Sequence, residues 1–233
     1  MLNWSKYHAL LFDLDGTLFP TEPTHIRALT LAVQELLDYR MTWEEGNEYI
    51  GITSKEMGER LLRRLHRTDV TGEDIRQRKN AIALREFQGL PPYPGAAEFL
   101  REAQQDGFCL VLASNSIQEF IERCLDAGQI RDCFNHILSV SAVARPKPSP
   151  DIFLLAAQQA GATPSDCLAF EDSIAGLEAA EAAGCDVVLV LNPQNYLPPR
   201  IPTDLPRLTW PELLADLREF ETHREQNDEK RLY

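Results

Sequence analysis

Short apolar runs alternate with helix-period stretches along most of this chain, and each kind of run marks its own element. The run Ala9-Leu10-Leu11-Phe12 breaks abruptly into Asp13-Leu14-Asp15-Gly16-Thr17. An apolar run ending in acids and a glycine predicts a buried parallel strand and the loop at its C-terminal end. From residue 91 the alternation becomes regular. A helix with Phe99, Leu100 and Ala103 on one face stops at Gly107 and is followed by a strand over 108–113. A helix carrying Ile117, Phe120, Ile121, Cys124 and Leu125 ends at Gly128, before a strand over 136–140. Pro150 opens a helix over 151–160 that Gly161 stops; a strand over 167–170, a helix over 173–183 closed by Gly184, and a strand over 187–191 follow. Repeated βα units predict an α/β, Rossmann-like, mainly parallel sheet with helices on both faces.

The stretch 21–87 breaks that rhythm, because it carries no strand signal. Ile26, Leu29, Val33, Leu36 and Leu37 follow one helical face. Thr42 with Glu45 and Thr53 with Glu56 have capping-box spacing, and Thr71 precedes Gly72-Glu73-Asp74 as an N-cap with acids in the first turn. The expected organisation is therefore an α/β core of 1–20 and 88–233 with a helical unit, 21–87, inserted after the first strand. The proline-rich stretch 193–211 is expected to be irregular. Leu213, Leu217 and Phe220 predict a last helix, and the charged segment 221–233 is expected to fray.

Composition narrows the function classes. With 233 residues, 44% of them hydrophobic and 25% charged, the chain can build an ordinary globular core. Lys plus Arg number 23 and Asp plus Glu 36, a net charge of −13, with no basic stripe. Nucleic acid and acidic membrane surfaces are thus not expected partners. Five cysteines, an odd number with no CxxC spacing, fall mostly in apolar runs and predict a reduced, cytoplasmic protein. No apolar run is long enough to span a bilayer, and residues 1–8 carry no signal pattern. The expected partner is a small phosphorylated molecule, and the chain is expected to be a monomer.

Four strand ends carry polar residues: Asp13 and Asp15, Ser114 and Asn115, Lys147, and Glu171 and Asp172. In a parallel sheet these ends share one edge, where open α/β sheets bind ligands. Four carboxylates so close raise each other's pKa unless a cation intervenes. An all-oxygen donor set suits a hard divalent ion, Mg²⁺ when a phosphate supplies a further ligand, and the absence of thiol and imidazole argues against Zn²⁺. Lys147 supplies a compact positive charge and Ser114 a hydroxyl, both suited to a phosphoryl group. A carboxylate can also attack phosphorus to form an aspartyl-phosphate.

These motifs carry a family resemblance. Phe12-Asp13-Leu14-Asp15-Gly16-Thr17-Leu18 is similar to the first motif of the haloacid dehalogenase superfamily. Ala113-Ser114-Asn115 resembles the second, Lys147-Pro148-Ser149-Pro150-Asp151 the third and Phe170-Glu171-Asp172-Ser173 the fourth, in the family's order. The helical insert resembles the cap of the phosphatase and β-phosphoglucomutase branch. The resemblance implies that Asp13 is the nucleophile, and that Asp15 is general acid and then base and offers its carbonyl to Mg²⁺. It implies that Asp172 ligates the metal, with Glu171 a ligand or its support. Ser114, Asn115 and Lys147 are implied to hold the transferring phosphoryl group. The second Asp argues against dehalogenase activity, since that branch lacks it.

Substrate choice is expected to rest with the insert. Thr21-Glu22-Pro23-Thr24-His25 resembles the hinge of sugar-phosphate phosphatases, although Pro20 replaces an acidic residue common there. His25 could approach the leaving group or simply pack on its helix. Gly51-Ile52-Thr53-Ser54-Lys55 resembles the substrate-reading cap loop, or is a plain helix start, and Lys79 either reaches the site or is solvated. The expected function is a Mg²⁺-dependent phosphatase of a small metabolite, a sugar phosphate. The alternatives are a β-phosphoglucomutase-like mutase, in which Thr21, His25 and Lys79 match positions that hold water off the phospho-enzyme, and a catalytically inactive binding module. Ser54 in place of the mutase's cap-loop arginine favours hydrolysis.

Overall fold

The computed structural model describes residues 2–47, 53–193 and 205–231. Strands β1 (Ala9–Phe12), β2 (Cys109–Ala113), β3 (His136–Leu138), β4 (Cys167–Glu171), β5 (Asp186–Val190) and β6 (Arg207–Leu208) form one sheet. Its order is β3-β2-β1-β4-β5-β6, and every pairing is parallel. The chain leaves β1 toward β2 on one side and returns to β4 on the other, so β1 stands at the topological switch point.

Side chains of successive strand residues point to opposite faces, and both faces are covered. On one face Leu10, Phe12, Leu110, Leu112, Leu168, Phe170, Val188 and Val190 pack with α5 (Ala96–Gln105), α6 (Gln118–Gly128) and α9 (Trp210–Arg231). Phe12 stacks on Phe170 there, with ring centroids 4.8 Å apart, and Phe99 and Trp210 close the aromatic cluster. On the other face Leu11, Val111, Ala169 and Leu189 pack with α7 (Asp151–Gln159) and α8 (Ile174–Ala183).

Four helices follow β1: α1 (Glu22–Leu37), α2 (Trp43–Asn47), α3 (Ser54–Arg64) and α4 (Gly72–Glu86). They share a core of their own, made of Leu29, Val33, Leu37, Met41, Met57, Leu61, Leu62 and Ile75. Ala28, Ala32, Ile82 and Ala83, by contrast, belong to the core under the sheet, so small side chains on α1 and α4 let this unit dock closely. Thr42 and Glu45 form the expected capping box. Thr71 forms one with Asp74. Thr53 caps α3 only through its hydroxyl, because the Glu56 carboxylate pairs with Arg60 instead.

Three expectations are corrected. The stretch 193–211 contains a strand, β6, and the first residues of α9, whereas 194–204 lies outside the described residues. The segment 221–231 continues α9, held partly by ion pairs of Arg218 with Glu102 and Arg224 with Asp106 on α5. The third strand ends at Leu138 rather than at residue 140, where a short 3₁₀ turn begins. Among the described residues, no helix is long and apolar enough to cross a membrane.

Candidate active site

The loop after β1 turns sharply over Gly16, whose φ of +79° is open to glycine at little cost. Two distant groups pin that loop. Trp210 Nε1 donates to the Thr17 carbonyl at 2.8 Å and Asn192 Nδ2 to that of Gly16 at 2.6 Å. Asp13 and Asp15 are thereby presented at the centre of the sheet edge.

Lys147 is the hub of the buried cluster. Its ammonium, 3% exposed, donates to Asp13 Oδ1 at 2.6 Å, Glu171 Oε1 at 2.6 Å and the Ala113 carbonyl at 2.7 Å. Three donors meet three acceptors, so a fully buried cation is satisfied. Burial opposes the charge on Lys147, but the Asp13 and Glu171 carboxylates outweigh it and raise its pKa. Asn115 fixes the loop that carries this lysine: Lys147 N donates to its Oδ1 at 3.1 Å, and its Nδ2 donates back to the Lys147 carbonyl at 3.3 Å. Neither Ser114 nor Asn115 caps α6, whose cap position is Ile117.

Glu171 and Asp172 end β4. Glu171 Oε2 accepts from Asp172 N, Ser173 N and Ser173 Oγ at 3.2–3.4 Å. Gly176 on α8 leaves room for this carboxylate, which a Cβ there would overlap. Thr17 Oγ1 donates to Asp172 Oδ1 at 2.8 Å. Asp13, Glu171 and Asp172 each offer an oxygen within 4.8 Å of the others. Burial and then, for Asp172, the carboxylates of Glu22, Glu171 and Asp13 push the pKa well up. Asp13 is likewise raised by burial, against the pull of Lys147. One lysine therefore does not balance these acids. The oxygen-only donor set and the uncompensated charge both fit a hard divalent cation.

Asp15 points away from that cluster. Thr21 Oγ1 donates to its Oδ1 at 2.6 Å and His25 Nε2 lies 2.8 Å from the same oxygen. Ser116 Oγ donates to Oδ2 at 2.5 Å and Ser114 Oγ at 3.4 Å. Burial would raise the Asp15 pKa, but His25, Ser116 and Thr21 overcome it and hold the carboxyl well below its usual range. Thr21 stands at the N-cap position of α1 yet makes no side-chain cap bond; its hydroxyl goes to Asp15 instead. His25 packs on the Phe120 ring, with centroids 4.6 Å apart, and burial lowers its pKa.

A cavity of about 520 Å³ opens above these groups. The core lines it with Asp13, Asp15, Asn115, Ser116, Lys147 and Asp172, the helical unit with Glu22, His25, Ser54, Lys55, Arg76 and Lys79. Ser114 is fully buried beneath it, accepting from Ser116 N at 3.0 Å. Arg76 is tied to Glu73 on its own helix. Lys79 is half-buried with no hydrogen bond or ion pair among the described residues, and burial lowers its pKa to about 8. Lys55 lines the mouth and is exposed. Gly51 and Ile52 lie outside the described residues. The sequence reading missed Ser116 and Thr17. Both stand beside residues it singled out, and the Ser114-Asn115-Ser116 alternation was the available signal for the first.

Comparison with known proteins agrees with this geometry. The model of the haloacid dehalogenase-like hydrolases matches residues 7–184. Protein CbbY of Rhodobacter capsulatus is 35% identical over 202 residues, 81% of this chain and 86% of that protein. Fructose-1-phosphate phosphatase of Escherichia coli is 27% identical over 196 residues, 79% of this chain and 97% of its own. The crystal structure of CbbY from Rhodobacter sphaeroides with xylulose-1,5-bisphosphate superposes with a TM-score of 0.75 at 29% identity. It covers 89% of this chain and 95% of that one. This chain belongs to the haloacid dehalogenase-like hydrolases and is an enzyme of that family.

Proposed function

We propose that this enzyme is a Mg²⁺-dependent phosphatase of a small phosphorylated metabolite, a sugar phosphate, working through an aspartyl-phosphate on Asp13. The observation that carries the reading is the position of Asp13: it faces the cavity beside Lys147, at the edge of a three-carboxylate cluster. Sugar phosphates are favoured because one relative is named for fructose 1-phosphate and another was crystallised with xylulose-1,5-bisphosphate.

In the first step an Asp13 carboxylate oxygen forms a bond to phosphorus as the bond to the leaving oxygen breaks, and Asp15, which must first take up a proton against the hydrogen bonds that favour its anion, gives that proton to the leaving oxygen. In the second, water attacks phosphorus, the bond to Asp13 breaks, Asp15 recovers the proton and phosphate leaves. A positioned acid–base group contributes about 10²–10⁴-fold. Lys147 holds Asp13 in place, and Ser114 and Ser116 present Asp15 from the loop after β2. Asp13, the Asp15 carbonyl, Asp172 and, directly or as support, Glu171 would hold Mg²⁺, which neutralises charge on the transferring oxygens.

The unit 21–87 serves as a cap over the core of 1–20 and 88–233, excluding water and selecting the leaving group. Within it Thr21 and His25 address Asp15, while Lys55 and Lys79 meet a polar or anionic substrate tail. Hydrolysis of p-nitrophenyl phosphate with Mg²⁺, abolished by EDTA, tests the activity, and phosphate release across a panel of phosphometabolites finds the substrate. Conversion of β-glucose 1-phosphate to glucose 6-phosphate without phosphate release would favour the mutase alternative. No turnover of any phosphate ester would leave a binding module.

A further inference from the structure

Glu22 has no place in the phosphoryl-transfer steps above, yet it is not an ordinary helix-entry acid. It opens α1, lines the same cavity as Asp13 and Asp172, and reaches back over the loop that follows β1. A Cβ added to Gly16 would overlap both Glu22 Oε1 and Asp172 Oδ2, so the two carboxylates share the notch that this glycine leaves. The other oxygen, Glu22 Oε2, is buried and has no hydrogen-bond partner among the described residues.

A second unpartnered group lies alongside. Tyr93, 7% exposed, comes from the proline-rich connection before α5, and its backbone N–H is anchored to the Leu18 carbonyl at 2.8 Å. Its hydroxyl is buried without a partner among the described residues, and the charges that act on it are Glu22 and Asp172. Buried polar groups are nearly always hydrogen-bonded, and those left over in a native site call for a missing partner such as an ion or ordered water. Here two of them lie within electrostatic reach of a cluster already suited to a cation. Mg²⁺ keeps several of its waters when bound by few protein groups, and those waters need acceptors.

We propose that Glu22 is the fourth carboxylate of the cation site and, with Tyr93, forms its outer shell, tying metal occupancy to the first helix of the helical unit. The proposal rests on the metal-dependent reading above and adds residues from outside the strand-end motifs to it. A site confined to Asp13, Glu171 and Asp172 would leave Glu22 Oε2 and the Tyr93 hydroxyl without a purpose.

The test measures binding rather than turnover. Mn²⁺ is titrated into the full chain without substrate and free ion is read by electron paramagnetic resonance; the melting temperature in Mg²⁺ against EDTA is recorded in parallel. Glu22→Gln should weaken the ion by at least about 10-fold, the lower end of outer-shell effects, and Tyr93→Phe by less. Both variants should melt as the wild type does in EDTA, and both should lose part of the Mg²⁺-induced rise. Asp172→Asn serves as the reference and should weaken binding the most. If Asp172→Asn weakens binding while Glu22→Gln and Tyr93→Phe bind as the wild type does, the outer-shell proposal is overturned and the three-carboxylate site stands. If the wild type binds no ion, both the proposal and the metal dependence fall.

Discussion

The two walls of the cavity are built on opposite terms. On the sheet side nearly every polar atom is committed. Lys147 donates to three acceptors, Glu171 accepts through both oxygens and Asp15 is held by donors from two segments. On the helical side polar atoms are left over: among the described residues Lys79 makes no hydrogen bond or ion pair, and His25 Nδ1 is buried without a partner. On the proposed function, the sheet wall is preorganised for the phosphoryl group, which never changes, and the helical wall keeps unmatched chemistry for the leaving group. Rigid strand ends suit transfer chemistry, because electrostatic preorganisation acts only where donors need not move. Reading a leaving group suits side chains that are still free to pair.

The largest effect that would break this contrast lies on the sheet wall. Asp13→Asn keeps the shape but removes the anion proposed to attack phosphorus. Turnover should fall at least about 10³-fold on every substrate, the scale of losing a core catalytic group. The fold should survive, since one of the mutually repelling buried carboxylates is gone; circular dichroism and the melting curve check this. A folded variant with near-normal turnover would remove Asp13 from the chemistry.

Asp172→Ala should act through the metal. The Mg²⁺ concentration for half activity should rise, with part of the rate restored by excess metal. For the wild type, Mg²⁺ at 100 times its dissociation constant should add about 2.7 kcal/mol of stability, readable as a higher melting temperature. Activity that persists unchanged in EDTA would contradict the assignment.

Lys79→Ala tests the opposite wall. kcat/KM for the true substrate should fall by about 10-fold or more, the scale of a charge-assisted contact worth roughly 1.5–3 kcal/mol, with little change for p-nitrophenyl phosphate, which has no tail. Equal losses on both substrates would move Lys79 into the transfer step, and no loss on either would make it a solvated helix lysine. The smallest effect is its pH dependence. Burial lowers the Lys79 pKa from 10.5 to about 8, so its charge is present below that pH and lost as pH rises through it. Preference for a substrate with an anionic tail over p-nitrophenyl phosphate should decline across pH 8, and Lys79→Arg should carry it to higher pH. A preference that stays flat there would assign the discrimination to other groups.

The same contrast governs what was legible in the sequence. β3 is three partly buried residues and Lys147 lies in the loop well beyond it, but β1, β2, β4 and β5 are runs buried on both faces, and the motif carboxylates end or follow β1 and β4. Their convergence follows from parallel topology alone. Strand β6 is two residues at the sheet edge, Arg207 and Leu208, and two residues carry no period. The charged end of α9 has no apolar stripe to announce it, because ion pairs to α5 hold part of it. Ser116 and Thr17 acquire their meaning from partners 101 and 155 residues away, which spacing cannot reveal. The helical wall was legible as helices but not as a wall, since which lysine faces the cavity depends on how α1 and α4 dock.

The central claim is a covalent bond between Asp13 and phosphorus. Enzyme mixed with substrate and Mg²⁺, quenched in acid within one turnover and digested, should yield the Asp13 peptide carrying a phosphoryl group by mass spectrometry. Hydroxylamine should release that group, and Asp13→Asn should show none. Substrate hydrolysed at full rate with no adduct on Asp13 at any quench time, or an adduct on another residue, would contradict the account.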